Sequence, residues 1–193
     1  MKPYADQLNQ TGVKFNWQLA VLKSDQVNAY VAPGGKVVFY TGIVNKLNLT
    51  DAEIAAVMGH EMTHALEEHS KRAAGATAIT DLAVKAGKAY AGDKLGSTGS
   101  QALDIGSKYG VGLPYSRNLE SKADRGGLML MAKAGYNPDA AITVWEKMNK
   151  MDGGSTNGAQ KFTSTHPSNN DRIADLKKSL AEAKQFYTAS AKP

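Results

Sequence analysis

Gly59 to Ser70 reads GHEMTHALEEHS and holds three of the chain's four histidines. His60 and His64 are four residues apart, a turn of about 40° on an α-helix, so their imidazoles share one face. Glu61 lies about 100° from His60 and can lean over the same edge. The pattern is H-E-x-x-H, which offers two ring nitrogens to a zinc ion and a glutamate beside a metal-bound water. His69 stands nine residues past His60, about 180° away on a continuous helix. It is read as a surface or packing residue that cannot reach the same zinc unless the helix breaks.

The surrounding residues predict a helix from 51 to about 70. Thr50 followed by Glu53 is a Thr-x-x-Glu capping box. Ile54, Val57, Met58, Met62, Ala65 and Leu66 give a broad apolar face. Burying two histidines and a glutamate in such a helix is costly without a partner, and a metal is the natural one. The plainer alternative is two satisfied histidines and a solvated glutamate.

Composition narrows the classes. The chain has 193 residues, enough for one hydrophobic core, and residues 1–193 are expected to form a single domain. Hydrophobic content of 42% and charged content of 21% are ordinary for a globular protein. The net charge is +5 and the isoelectric point about 9.2, but no run of five basic residues occurs, so nucleic acid is not an expected partner. With no cysteine there is no disulfide framework. Structural zinc sites usually use thiolates, so a zinc held by imidazole and carboxylate reads as catalytic. No apolar run approaches the ~20 residues of a membrane span. MKPYADQLNQ at the start lacks the apolar segment of a signal peptide. The expectation is a cytoplasmic protein or one whose targeting segment has been removed.

Working outward, residues 17–43 read as β structure, with a strong turn at Pro33-Gly34-Gly35. Residues 71–91 are Ala-rich and predicted to continue as helix or to start a second one. Residues 92–116 are rich in Gly and Ser and are the best candidate for a mobile loop, either a lid or a plain connection. Residues 117–134 read as a helix ending at Gly135. Asn137-Pro138 opens another through about Asn149, DGGSTNG is a second loose loop, and 171–186 makes a last amphipathic helix. Strands followed by helices predict the α+β class.

Catalytic zinc usually takes three protein ligands. A metzincin would need Gly at position 67 and His at 70, where this chain has Glu67 and Ser70. A carboxylate from another helix is the remaining route. In NLESKADRGG, Glu120 and Asp124 are four apart and share a helical face. Glu120 would bind zinc and Asp124 would accept the outer N–H of a zinc-bound histidine. The alternative is an ordinary acidic pair on a solvated face.

GHEMTHALEEHSKR, NLESKADRGGLMLMAKAGYNPDAA and STHPSNNDRIADL together resemble the zinc peptidases of family forty-eight, which includes the CAAX prenyl proteases and bacterial envelope quality-control proteases. NAYVAPGGKVVFYTGIV resembles that family's strand pair before the active helix. The likeness runs from Asn28 to Leu176 with four motifs in order. It implies a gluzincin fold, one Zn2+ per chain held by His60, His64 and Glu120, and Glu61 as general base. Asp124 falls on the family's motif aspartate, to which a proton-donor role is sometimes assigned; the His-orienting role is preferred here on physical grounds. The chain departs from the prenyl proteases in having no membrane spans. It is most similar to soluble members of the periplasm or outer membrane, made with a signal or lipoprotein sequence, and an assembly-machinery partner is a further implication.

Glu61 is expected to take a proton from water and pass it to the leaving amine. His166, in STHPSNNDR, is the candidate donor to the tetrahedral oxyanion, with Arg172 helping. Two other readings stay open for His166: it caps the final helix or is exposed, or it occupies zinc's open position in a latent state. The strand Lys36, Val37, Val38, Phe39 and Tyr40, running to Thr41, is expected to be a free edge to which extended peptides add by main-chain bonds. Loose sequence specificity and a taste for unfolded segments follow. The rivals are a zinc endopeptidase of unfolded or misassembled envelope proteins and a zinc-holding chaperone or assembly factor with a latent site. A third option is a cytoplasmic peptidase.

Overall fold

The structure, a computed structural model, describes residues 1–32, 34–69, 117–152, 166 and 170–187. The Ala-rich 71–91 stretch, the Gly/Ser loop at 92–116 and most of DGGSTNG lie outside the described residues. Three strands and six helices follow in order: α1 (Lys2–Leu8), β1 (Gln18–Leu22), β2 (Ala29–Ala32), β3 (Lys36–Tyr40), α2 (Thr41–Lys46), α3 (Asp51–Leu66), α4 (Arg117–Lys133), α5 (Ala140–Asp152) and α6 (Asn170–Phe186). A small mixed sheet and a mainly helical body make this an α+β fold, as expected.

The strand order is β1-β3-β2. β1 runs parallel to β3 with Gln18 opposite Lys36 and Leu22 opposite Tyr40. β2 runs antiparallel, with Ala29 opposite Phe39 and Ala32 opposite Lys36. Gly34 and Gly35 close the hairpin at φ of 85° and 97°, values that only glycine adopts freely. This order corrects one expectation. Lys36, Val37, Val38, Phe39 and Tyr40 do not form an edge, because β3 is paired on both sides. Val37, Val38 and Phe39 are buried, as an apolar run in a central strand should be. Among the described residues, the edges are β1 and β2. A second difference is that Thr41 opens helix α2 rather than extending the strand. Its hydroxyl donates to Ser24 O at 2.9 Å and accepts from Ser24 N at 3.0 Å, tying the strand exit to the β1–β2 connection.

The capping box of α3 forms as expected, with Thr50 accepting from Glu53 N and the Glu53 carboxylate accepting from Thr50 N at 2.9 Å. α4 ends at Gly135, whose φ is 82°. The Gly135 and Tyr136 amides there donate to Ala132 O and Met131 O, satisfying carbonyls at the helix end. The core lies between α3, α4, α5, α6 and one face of the sheet, built from Val37, Phe39, Val57, Leu128, Met131, Trp145 and Leu176 among others. α3 is its central element and touches α4, α5, β2 and β3.

Candidate metal centre

Two glycines set the site. A Cβ on Gly59 would stand 2.7 Å from Gly127 O, and one on Gly127 would stand 2.5 Å from His60 N. α3 and α4 therefore cross backbone against backbone, closer than any side chain permits. Glycine inside a helix costs about 1 kcal/mol relative to alanine, and here that cost brings two faces of charged residues together. The sequence reading did not use this signal, although glycines inside two predicted helices were visible.

Across that crossing, His60, Glu61 and His64 on α3 meet Glu120 and Asp124 on α4, with Arg172 from α6 and His166 just before it. All seven side chains are buried. His60 Nε2 lies 3.0 Å from His64 Nε2 and 3.2 Å from His166 Nδ1. Glu120 Oε1 is 3.1 Å from His166 Nδ1 and 3.3 Å from His64 Nε2, while Glu120 Oε2 is 3.4 Å from His60 Nε2. Four donors each about 2.1 Å from a tetrahedral centre stand about 3.4 Å apart. The separations above run from 3.0 to 3.4 Å and the four donor atoms all lie within 4.8 Å of one another, so three imidazoles and a carboxylate are gathered closely enough to hold one metal ion.

The outer atoms support the same arrangement. His60 Nδ1 is 3.0 Å from Asp124 Oδ1. That carboxylate favours the hydrogen on Nδ1 and leaves the Nε2 lone pair facing the cluster. Asp124 is itself gripped by Arg172, whose Nε and Nη2 each donate at 2.7 Å. Arg172 Nη1 reaches Glu120 Oε2 at 2.9 Å, and its guanidinium lies 3.8 Å over the Trp145 ring. Arg172, expected to help toward substrate, is 4% exposed, and its guanidinium pairs with two internal carboxylates.

His69 also differs from its sequence reading. α3 ends at Leu66, and Glu68 takes a left-handed φ of 52°. The turn carries His69 back, fully buried, until its Nδ1 is 2.9 Å from His64 Nδ1. The helix break that would let His69 approach the cluster is present, and the contact is with a cluster residue's far nitrogen.

The site is rich in carboxyl groups: Glu61, Glu120 and Asp124 gather around the guanidinium of Arg172. Burial depresses the basicity of His60, but Asp124 and Glu120 overcome it and raise its pKa to about 9. Burial also drives His64 well below its ordinary value, against the pull of Glu120, so it stays neutral. Glu120 is opposed by burial yet held ionised by His166 and His60. Asp124 is likewise opposed by burial and held ionised by Arg172. Burial raises the Glu61 carboxyl, the mark of a proton-exchanging acid. The Val31 amide donates to that carboxylate, and Glu61 Oε1 faces His166 Nε2 at 3.4 Å.

With this geometry in hand, comparison with known proteins is informative. The sequence profile described as peptidase family M48 matches residues 1–180. The chain is 37% identical over 168 residues to "Mitochondrial metalloendopeptidase OMA1" of Schizosaccharomyces pombe, covering 86% of this chain and 48% of that protein. It is 32% identical over 179 residues to human "Metalloendopeptidase OMA1, mitochondrial", covering 88% and 33%. It is 29% identical over 183 residues to "Metalloprotease YcaL" of Escherichia coli, covering 95% and 68%. The chain thus spans about a third to a half of the OMA1 relatives it matches.

Proposed function

The chain belongs to peptidase family M48, and on that premise we propose that it is a zinc endopeptidase of unfolded or misassembled envelope proteins, with His166 holding the site in a latent arrangement. The observation that carries the reading is the gathering of His60, His64, His166 and Glu120, buried and with one donor atom from each lying within 4.8 Å of the others. His60, His64 and Glu120 are the proposed resident ligands of one Zn2+. Zinc, when bound, supplies Lewis acidity that acidifies water and polarises a peptide carbonyl.

The chain's own residues do the rest. Glu61 is the proposed general base, taking a proton from water and delivering it to the leaving amine. Asp124 fixes the His60 ring, and Arg172 fixes Asp124. His166 Nδ1 takes the fourth position, so substrate entry requires its ring to move aside. From there it is the proposed donor to the tetrahedral oxyanion.

The proposed substrate edge is β2 in place of β3. Tyr40 N donates to Asn28 O at 3.1 Å, so hydrogen-bonded pairing recurs at Tyr30 opposite Val38. The main-chain groups of Ala29 and Val31 therefore face away from β3, and Val31 N–H is the one that meets Glu61. An extended peptide adding there would lie beside the general base. The envelope setting, with membrane attachment through a leader or lipid anchor, rests on the resemblance. Among the described residues, no helix is long and apolar enough to cross a membrane.

The occupied fourth position also favours a second reading, a zinc-holding chaperone or assembly factor that never opens. The test is zinc content together with casein cleavage, with and without chelator, on wild type, His166→Ala and Glu61→Gln. One zinc per chain, cleavage in wild type or in His166→Ala, and none in Glu61→Gln is the expected result. Zinc with no cleavage in any variant supports the binding module. No zinc in any variant overturns both.

A further inference from the structure

We infer that His69 is a positioning residue that fixes the ring tautomer and orientation of His64, through a buried imidazole–imidazole hydrogen bond between their Nδ1 atoms. The inference rests on the proposed metal reading of the cluster and goes beyond it, because nothing in that reading requires a third α3-side histidine.

The argument is one of hydrogen placement. His64 Nε2 faces inward, 3.0 Å from His60 Nε2 and 3.3 Å from Glu120 Oε1. His64 Nδ1 faces outward, 2.9 Å from His69 Nδ1. Two imidazole nitrogens at that distance share one hydrogen. If His69 donates it, His64 must carry its own hydrogen on Nε2, which then blocks the metal. If His64 donates it, Nε2 presents a lone pair to the cluster and His69 accepts. A metal-binding His64 therefore selects one arrangement for both rings: Nδ1–H on His64, and a bare Nδ1 on His69. The rings are nearly perpendicular, 76° between planes at 4.9 Å, which aims the His64 N–H at a ring-edge lone pair.

The backbone is shaped to deliver this contact. Glu67 and Glu68 amides close the helix on Thr63 O and Ala65 O at 2.9 Å and 3.0 Å. Glu68 then adopts φ of 52°, a left-handed conformation that is strained for a non-glycine residue and persists where its surroundings dictate it. His69, fully buried behind the turn, is the group placed by it. The two α3 ligands are thus backed differently. His60 leans on a carboxylate neutralised by Arg172, and His64 leans on an uncharged ring that adds no further negative charge to the cluster.

The experiment measures Zn2+ dissociation constants by chelator competition on wild type, His69→Phe and His69→Asn, with thermal melts of each metal-free protein. Phenylalanine keeps the ring and removes the acceptor; asparagine puts an amide oxygen near the position of Nδ1. The expected result is a 10- to 100-fold weakening in His69→Phe, the usual effect of losing a ligand's outer partner, and recovery to within a few fold in His69→Asn. Affinity unchanged in His69→Phe overturns the inference. So does equal loss in both variants with equally lowered melting, which marks a packing role. A readout on wild type needs no variant to fold: ring nitrogen NMR of the Zn2+-loaded protein should show Nδ1–H on His64 and a bare Nδ1 on His69, and a hydrogen on His69 Nδ1 would sink it. Wild type that binds no Zn2+ overturns the metal reading itself, a result separate from either of these.

Discussion

Helix α3 carries a buried polar cluster near each end, and the two are built on opposite principles. At the N-terminal end Glu53 is 3% exposed and fully partnered. Its carboxylate accepts from Thr50 N at 2.9 Å, Thr143 Oγ1 at 2.8 Å and Lys147 Nζ at 2.7 Å. One charge meets one charge, and α3 is pinned to α5. Toward the C-terminal end, three carboxylates meet one guanidinium, and inward-facing imidazole nitrogens crowd within 3.0 Å and 3.2 Å of each other. The first cluster is satisfied by the chain alone. The second gathers more carboxylates than cations, and Asp124 and Glu120 raise the pKa of its His60 to about 9 against the opposing effect of burial. A buried network that closes on itself is architecture; one left short of a partner marks where something binds.

The contrast breaks most completely at the helix crossing. Gly127→Ala puts a methyl 2.5 Å from His60 N, against backbone that cannot swing aside. The helices must part, at a cost of about 3 kcal/mol, and the cluster loses its spacing. Denaturant unfolding should show that loss, and zinc content should fall with it. Full zinc binding at unchanged stability would mean that the crossing does not set the site.

Arg172→Met strikes the charge of the cluster where Gly127→Ala strikes its spacing. It removes the one buried guanidinium among the described residues, leaving Asp124 and Glu120 facing each other without it. Breaking a buried ion pair from one side costs about 3–5 kcal/mol. The loss should be full in chelator and smaller with zinc, because a divalent ion restores part of the missing charge. An equal loss under both conditions would show that the guanidinium and the metal do not answer the same charge deficit.

The metal itself should divide the two clusters. At free zinc about 1,000-fold above its dissociation constant, binding stabilises by about 4 kcal/mol. Thr143→Val, at the other end of α3, should lower stability by about 1–2 kcal/mol with and without zinc, adding to the metal effect without altering it. A zinc increment that shrinks in Thr143→Val would show that the ends are coupled through the helix.

Much of this was legible in the sequence, and the gaps have physical causes. The capping box, the H-E-x-x-H face and the Glu120/Asp124 face are one-turn patterns, so local geometry was enough to place them on shared faces. His69 was misplaced because helical phase holds only while the helix continues, and Glu68 ends it with a left-handed residue that carries no glycine to announce it. The central position of β3 was missed because strand order depends on a long-range parallel pairing with β1, where periodicity is silent. Its three successive buried residues were the available clue. Arg172 was assigned to substrate because nothing local reveals that Trp145 covers its guanidinium.

The smallest effect separates the clusters by pH. Burial pushes the Glu53 carboxyl up, but Lys147, Thr50 and Thr143 together hold it below its ordinary value of 4.5. A carboxyl with a folded value below its unfolded one adds stability above the unfolded value, and loses it as pH falls through the folded one. Lys147 is partly exposed, so its share is discounted by solvent to about 1 kcal/mol. Lys147→Met should therefore melt lower than wild type near neutral pH. The two curves should converge in acid, where wild type loses what the variant never had. Asp124 carries the same sign, but its Arg172 is intact in both proteins, so it bends both curves together and leaves their difference to Glu53. Melting from about pH 7 to about pH 3 in chelator reads that difference directly. A gap that stayed constant over the range would mean that Lys147 stabilises α3 through its bond to Asn48 O rather than through the buried acid.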